Sequence, residues 1–156
     1  MSLLKDLAQD FNDVSEKAPI LPAATYNALF SDWYEDGMDG DYPRLTLVFT
    51  LQDNPTFQFP DGTPVDGSTI NYSLFLPQEE DKTKKARFGR GTEWEARIRR
   101  IKQTIKRLGG DPNGDPAAEL DSLKGNAYVS IEVTHKVDNE TGDVYERISR
   151  IHGVTA

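Results

Sequence analysis

Alternation of apolar and polar positions predicts a chain built mainly of β-strands. The clearest run covers 44–52, where Leu45, Leu47, Phe49 and Leu51 alternate with Arg44, Thr46, Val48 and Thr50. The same pattern predicts four further strands, at 25–35, 69–76, 128–136 and 144–151. The polar turn 138–143 joins the last two as a hairpin, and a short strand at 57–59 leads into the turn 60–64.

The first strand has two distinguishable faces. Alternation places Tyr26, Ala28 and Phe30 on one face, and it places Leu29, Ser31 and Trp33 on the other. The glycine- and aspartate-rich stretch 36–41 predicts the turn that follows.

A longer helix is predicted between the third and fourth of the long strands. Thr92 and Glu95 have the spacing of a capping box, and Gly109 followed by Gly110 marks the end. Steps of four and three residues predict one buried stripe, made of Trp94, Ile98, Ile101, Ile105 and Leu108. Asp115 followed by Pro116 starts a second, short helix.

The first 18 residues predict an amphipathic N-terminal helix or arm. One helical face carries the apolar residues Leu3, Leu4, Leu7, Phe11 and Val14. Two prolines, at 19 and 22, then prevent the helix from continuing. We expect this helix to dock either on the rest of the chain or on a partner. That partner includes a second copy of the chain, in a possible homodimer.

The order strand, strand, strand, helix, strand, strand predicts a mainly β fold with helices. It is the order of a five-stranded OB-fold barrel, a fold that binds oligonucleotides or oligosaccharides, with a long helix between strands three and four. Residues 19–156 then form one OB-fold domain, and residues 77–91, which lack periodicity, form a mobile polar loop within it.

The composition excludes several classes of protein. The chain has 156 residues and no cysteine, which excludes disulfides and thiolate sites and fits a reducing cytoplasm. Acidic and polar residues interrupt the N-terminal stretch too early for a signal peptide, and no apolar run is long enough to span a membrane. We therefore expect a cytoplasmic protein without a membrane partner.

Charge is strongly segregated along an acidic chain of net charge −8. Residues 81–107 hold 11 Lys and Arg against 3 Asp and Glu, whereas residues 1–80 hold 3 against 14. Such a concentrated basic segment is typical of a polyanion-binding patch, although it equally fits a solvated helix face that balances an acidic body.

Single-strand binding without sequence preference requires cations along the backbone path and aromatic faces for base stacking. Both are available. The basic loop 77–91 and two strands supply the cations, and five aromatic residues are the ones expected to remain outside the core. The candidate nucleic-acid-binding residues are Lys82, Lys84, Lys85, Arg87, Arg90, Arg44, Arg147, Arg150, Trp33, Tyr34, Phe75, Tyr128 and Tyr145.

Other chemistry has little support in the sequence. Residues 111–115 imitate the start of a calcium loop, but Pro116 and Ser122 stand where that loop needs glycine and glutamate. A turn and a helix cap are the better interpretation. With two histidines and no nucleophile motif, we expect no enzyme, no catalytic residue, no metal and no cofactor.

Several segments together resemble a known family. They are the run from Leu21 to Phe30, the strand Leu45–Phe49, the helix end at 105–109, the segment Leu120–Gly125 and the closing pair of strands. In this pattern the chain is similar to phage-encoded OB-fold single-stranded DNA-binding proteins, over about residues 19–152. It departs at Ala24, where glycine is usual, in the acidic turn 36–41 and in the extended basic loop.

That resemblance implies a function in phage DNA replication or recombination, in the host cytoplasm. The implied partners are single-stranded DNA and replication or recombination proteins of phage or host. An alternative from the residues alone is a protein-interaction module, such as an adaptor, a virion component or an inhibitor of a host protein, which uses the acidic surface and the N-terminal helix. A third is oligosaccharide binding on exposed Trp and Tyr.

Overall fold

The computed structural model describes residues 3–11, 13, 18–37, 40 and 42–154. Its elements confirm a mainly β chain with helices, and the bounds of the five strands and the two longest helices lie within a few residues of those predicted. In chain order they are α1 (Leu3–Asp6), α2 (Ala8–Phe11), β1 (Ala24–Asp36), β2 (Arg44–Leu51), β3 (Thr69–Phe75), a 3-10 helix (Glu79–Thr83), α3 (Glu93–Arg107), α4 (Pro116–Leu123), β4 (Ala127–Val137) and β5 (Val144–Val154).

The five strands form a single antiparallel sheet in the order β3-β2-β1-β4-β5. Closing this sheet into a barrel requires a ladder of backbone hydrogen bonds between β3 and β5. Within the described ranges the ladders join only β1 to β2, β1 to β4, β2 to β3 and β4 to β5. The five-stranded sheet is as predicted, but in the described part of the chain it is not closed into a barrel: β3 and β5 are its edges.

A β-bulge divides β1 into two halves that pair differently. Residues 24–30 pair with β4 and residues 28–36 with β2, and the register shifts between Phe30 and Asp32. Ser31 lies at the shift, where its hydroxyl donates to the Val48 carbonyl. Because a bulge inserts one residue, the side chains after it change sides. Trp33 therefore pairs with the buried Leu47 and packs against the core, which corrects the predicted face.

The core lies on the inner face of the sheet. Its largest fully buried side chains include Tyr26, Phe30 and Phe49, as alternation predicts. The Tyr26 hydroxyl donates to the Pro22 carbonyl at 2.6 Å, and burial is the main cause that raises its pKa, with the nearby Glu146 carboxylate second. This pairing satisfies the polar end of a ring that is otherwise surrounded by apolar side chains.

Helix α3 covers the core only with its C-terminal half. The capping box of Thr92 and Glu95 is present as predicted, and the hydrogen bonds from Thr92 lower the pKa of the Glu95 carboxyl. Ile105 and Leu108 are buried, but Trp94, Ile98 and Ile101 are only half-buried. The predicted stripe is thus buried at one end and remains accessible at the other.

Two smaller sequence predictions have clear outcomes. The turn after 57–59 is confirmed as an isolated bridge between Gln58 and Pro64. Asp115 caps α4 by accepting from the amides of Ala117 and Ala118, which confirms the cap interpretation over a calcium loop.

Among the described helices, none is long and apolar enough to cross a membrane.

The N-terminal amphipathic stripe is exposed. Two short helices, α1 and α2, replace the single helix that was predicted, and Val14 lies outside the described residues. Leu4, Leu7 and Phe11 are 73%, 52% and 70% exposed. In this arrangement the segment does not dock on the sheet.

A buried amide anchors the loop that follows β2. Asn54 is 4% exposed, and its side-chain NH2 group donates to the carbonyls of Asn27 and Gln52 and to the carboxylate of Asp66. Its side-chain oxygen accepts from the Asn27 amide at 2.8 Å. The side chain therefore forms hydrogen bonds with four groups that would otherwise lack a partner within the protein.

We expect Asn54→Ala to lower the free energy of unfolding by about 2 to 3 kcal/mol, because it leaves buried donors and acceptors without partners. Urea unfolding measures this change. The matched control is Asn71→Ala, on the exposed face of β3, where the one amide bond is long at 3.5 Å and the expected change is within about 0.5 kcal/mol. Equal losses in the two variants would contradict a structural role for the Asn54 amide.

Candidate nucleic-acid interface

The segment 77–91 is organised around a buried carboxylate, which corrects the prediction of a mobile loop. Asp81, 2% exposed, accepts from the Gln78 amide at 2.8 Å and from Arg97 Nη1 at 2.9 Å. Arg97 Nη1 also donates to the Leu76 carbonyl. The long-range ion pair to α3 therefore fixes the segment where its sequence alone shows no periodicity.

The second half of this segment folds into a tight loop. Its ends are joined by a bridge between Lys85 and Thr92, and the amide of Ala86 donates to the Gly91 carbonyl. Gly91 has a φ of +87°, a conformation that favours glycine. This geometry places Phe88 near the tip of the loop, with 70% of its surface exposed.

A basic cleft lies between this loop, the end of β3 and the start of α3. Its volume is about 330 Å³. Two phenyl rings, five cationic side chains and one carboxylate line it: Phe75, Phe88, Lys84, Lys85, Arg87, Arg97, Arg100 and Glu93. Both rings are open to solvent, since Phe75 is 46% exposed. The cleft thus combines accessible π faces with positive charge.

The positive charge of the basic cleft is only partly compensated. Arg97 pairs with Asp81 at 2.9 Å and with Glu93 at 3.4 Å, and Lys84 lies 3.9 Å from Asp81. In the part of the chain that the structure describes, Lys85, Arg87 and Arg100 form no ion pair. A polyanion can therefore contact these three side chains without breaking an ion pair within the chain.

Glu93 holds the cleft together at its base. Its carboxylate accepts from the Arg87 amide at 3.0 Å, and this bond is the main cause that lowers the pKa of Glu93, with the charges of Arg97 and Arg100 contributing. The ionised form of the carboxylate is therefore favoured, and it fixes the loop through the backbone of Arg87. The Arg87 side chain lines the cleft, with its guanidinium 5.5 Å from the Phe88 ring.

The outer face of the sheet continues from the basic cleft through Phe75. This ring lies opposite Arg44 on β2 and 6.0 Å from the exposed ring of Tyr42. Tyr34, 43% exposed, lies two residues before Asp36 on β1. Because Asp36 pairs with Arg44 at 3.0 Å, this face offers aromatic surface but little net charge.

Trp33 belongs to a different surface. After the bulge it lies on the inner side of β1, where its Nε1 donates to Asp121 at 2.9 Å. There it lines an apolar groove of about 370 Å³ between α3 and the sheet, together with Leu45, Leu76, Ile98, Ile101 and Leu120. The structure therefore separates Trp33 from the other aromatic candidates.

The remaining predicted residues lie outside the basic cleft. Lys82 pairs with Glu79 and covers the Trp94 ring at 4.6 Å, and the carbonyl of Arg90 accepts from Arg99. The others are exposed positions on the β4 and β5 strands: Tyr128 opposite Leu29, Tyr145 opposite Lys136, Arg147 opposite Thr134 and Arg150 opposite Glu132. They stay predictions, and none of them lines the cleft.

Five residues of the candidate interface were not among the candidates: Tyr42, Phe88, Glu93, Arg97 and Arg100. Phe88 had a usable signal, because an aromatic residue among lysines and arginines is unlikely to be core. Arg97 and Arg100 face the loop only because α3 packs against it.

Within the described ranges no cluster of three or more His, Asp and Glu side chains is placed to hold a metal ion. A comparison with protein-family models finds no match for this chain, and a search of curated proteins finds no similar sequence.

Proposed function

We propose that the protein binds single-stranded DNA without sequence preference, through the basic cleft and the adjoining outer face of the sheet. The observation that carries this proposal is the meeting of Phe75 and Phe88 with five cationic side chains in one cleft. Cations contact phosphates, and exposed rings stack on bases of any identity. A double helix offers no unstacked base to such rings, so single strands are the preferred ligand.

The strand order supports an OB-type fold in its partly open form. A sheet β3-β2-β1-β4-β5 is what remains of a five-stranded barrel when the outermost strands, β3 and β5, do not pair. Oligonucleotides bind this fold on strands two and three and on the loops around them. Phe75 and Arg44 occupy that face, and the basic cleft adjoins it.

The acidic remainder of the chain supports the same proposal. Outside 81–107 the chain carries 30 charged residues, of which 23 are acidic. Such a surface repels the phosphates of a duplex and confines nucleic acid to the basic segment. The setting that we propose is phage DNA replication or recombination in the host cytoplasm, as the resemblance implies.

Titration of fluorescently labelled oligo-dT with the protein, at low and at moderate salt, tests the proposal. We expect binding that weakens steeply with salt, because each phosphate contact releases counterions. Unlabelled oligo-U and duplex DNA serve as competitors, and duplex should compete poorly. Absence of binding at low salt by folded protein would overturn the proposal.

We expect Phe88→Ala to weaken oligo-dT binding by about 1 to 3 kcal/mol if one base stacks on this ring. The ring is 70% exposed, so the substitution should leave the free energy of unfolding nearly unchanged. Phe11→Ala is the matched control, since it removes an equally exposed phenyl ring from α2, outside the cleft. If Phe11→Ala weakened binding as much as Phe88→Ala, the cleft would not be the stacking site.

Protein interaction remains a second candidate function because of one observation, which is that the apolar side chains of α1 and α2 are exposed. This stripe and the basic cleft are different surfaces, so the two functions are compatible. Oligosaccharide binding would use the outer face without the cations of the cleft, and its signature would be binding that is insensitive to salt.

A further inference from the structure

The basic cleft carries more positive charge than its own carboxylates neutralise. Two of its five cationic side chains, Lys84 and Arg97, pair with the buried Asp81. Glu93, the one carboxylate in the lining, accepts from the Arg87 amide and from Arg97 Nε. Five cations therefore face two carboxylates, which leaves an excess of three positive charges in a cleft of about 330 Å³.

Arg100 is the least exposed of the three side chains that carry this excess. The residue is half-buried, whereas Lys85 and Arg87 are exposed. Within the described ranges the Arg100 guanidinium takes part in no hydrogen bond and no ion pair. Because burial removes part of the hydration of a cation, contact with an anion is favourable at this position. Arg100 from α3 and the two cations of the loop thus define a place for one strongly charged group.

The cleft has room for about one nucleotide, since its volume lies at the lower end of the range of about 300 to 1,000 Å³ that is usual for small-molecule sites. A nucleotide inside a strand carries one negative charge, on its phosphodiester. Such a nucleotide would neutralise only one of the three excess charges. The charge of the cleft therefore fits a more highly charged group than an interior phosphate.

The surface that adjoins the cleft does not continue this charge. The cleft meets the outer face of the sheet at Phe75, the last residue of β3, and there the opposite residue Arg44 pairs with Asp36 at 3.0 Å. A strand that is bound only through interior phosphates needs cations along its path. Here the unpaired cations lie in the cleft, beyond the end of β3, which is the distribution that a site for the end of a strand requires.

We propose that the basic cleft binds the terminal phosphomonoester of a nucleotide, with the attached base stacked on Phe75 or Phe88. The phosphorylated end of a single strand and a free nucleotide both offer this chemistry. A phosphomonoester carries about −1.5 to −2 charges at pH 7 and three acceptor oxygens, so it can contact Lys85, Arg87 and Arg100 together. The inference rests on the proposed function and specifies which part of the strand enters the cleft.

The two rings of the cleft favour a nucleotide over inorganic phosphate. The guanidinium of Arg87 lies 5.5 Å from the Phe88 ring, and that of Arg97 lies 5.5 Å from the Phe75 ring. Each ring therefore has a cation beside it, as a base and the phosphate on its own sugar need. Stacking on either ring adds affinity that inorganic phosphate cannot obtain.

Titration of the full chain with pairs of labelled oligo-dT strands tests the proposal. The strands of a pair have equal length and differ only in a phosphate or a hydroxyl at the 5′ end, and a second pair differs at the 3′ end. We expect a phosphate at one of these ends to tighten binding about tenfold, which corresponds to one charge-assisted hydrogen bond of ordinary strength. A hydroxyl-ended strand that is one nucleotide longer adds a phosphodiester without a monoester, and it should gain much less. An equal gain from the longer strand would overturn the proposal.

Variants of the cleft show whether the gain arises there. Arg100→Gln should remove the gain from the terminal phosphate. Arg99→Gln is the matched control and should keep it, because this neighbouring arginine pairs with Glu95 and does not line the cleft. Lys85→Gln alters an exposed side chain without an ion pair and serves as the second variant if Arg100→Gln does not fold. A gain that survives in the cleft variants would overturn the proposal.

Competition against labelled, hydroxyl-ended oligo-dT distinguishes the two sources of the monoester. Competition by dTMP without any gain from a terminal phosphate would identify the free nucleotide as the ligand, and the reverse result would identify the strand end. Inorganic phosphate that competes as well as dTMP would overturn the proposal, since the rings would then contribute nothing. If hydroxyl-ended strands bind while neither a terminal phosphate nor dTMP has an effect, this inference fails and the proposed function stands. If no strand binds at all, the proposed function fails.

Discussion

Replacing Lys85 and Arg87 together by alanine should weaken oligo-dT binding at least tenfold, about 1.4 kcal/mol, while the free energy of unfolding changes little. Both side chains line the basic cleft and are exposed, and Lys85 has no ion pair in the described part of the chain. Hydrogen bonds to charged groups contribute about 1.5 to 3 kcal/mol each when fully formed, so a tenfold loss corresponds to about one such bond at the low end of that range.

The salt dependence of the same variant is the sharper measurement. Each phosphate contact to a single strand contributes about 0.7 to the slope of log affinity against log salt, so losing two contacts should reduce the slope by about 1.4. The matched control is Lys106→Ala with Arg107→Ala, which removes the same charge from exposed positions of α3 outside the cleft. If both double variants lost affinity and slope equally, binding would depend on the overall charge of residues 81–107 and not on the cleft.

Asp81→Asn should lower the free energy of unfolding by about 3 kcal/mol. The substitution keeps the size of a side chain that is 2% exposed, but it removes the charge that Arg97 faces at 2.9 Å. Breaking a buried ion pair costs about 3 to 5 kcal/mol, and the 16% exposure of the Arg97 side chain places this pair at the lower end. Urea unfolding measures the loss.

The exposed pair between Lys82 and Glu79 provides the control for Asp81. Glu79→Gln should change the free energy of unfolding by less than about 1 kcal/mol, because its carboxylate is 84% exposed and water already screens it. In the Asp81→Asn variant the amides of Ala86 and Glu93, which close the loop of the cleft, should exchange hydrogen faster. Unchanged exchange at these amides would show that Asp81 does not hold the cleft in shape.

Local patterns were sufficient to predict most of the secondary structure. Alternation located the five strands, and the pair Thr92 and Glu95 located the start of α3, because strands and helix caps depend on residues close in the sequence. Alternation failed at Ser31, where a single inserted residue reverses the faces that follow. The reversal comes from pairing with β2, which no local pattern contains.

The candidate site was predictable only in part, for a similar reason. Lys84, Lys85, Arg87 and Phe75 were found from charge and exposure, and all of them line the basic cleft. The ordered structure of segment 77–91 was not predicted, because it depends on a contact between Asp81 and Arg97, which are sixteen residues apart in the sequence. The barrel was predicted from the order of strands and helix along the chain. That order does not determine whether the outermost strands of the sheet, β3 and β5, pair with each other.

Because of the bulge in β1, the number of residues in the strand around Ser31 matters as much as the identity of the neighbouring residues. A relative that lacked one residue here would exchange the two faces of the strand beyond it. The indole of Trp33 would leave the groove and the phenol of Tyr34 would leave the outer face, in a single event and without any substitution. Deletions at this position should therefore be rarer among descendants of this sequence than substitutions of either aromatic residue.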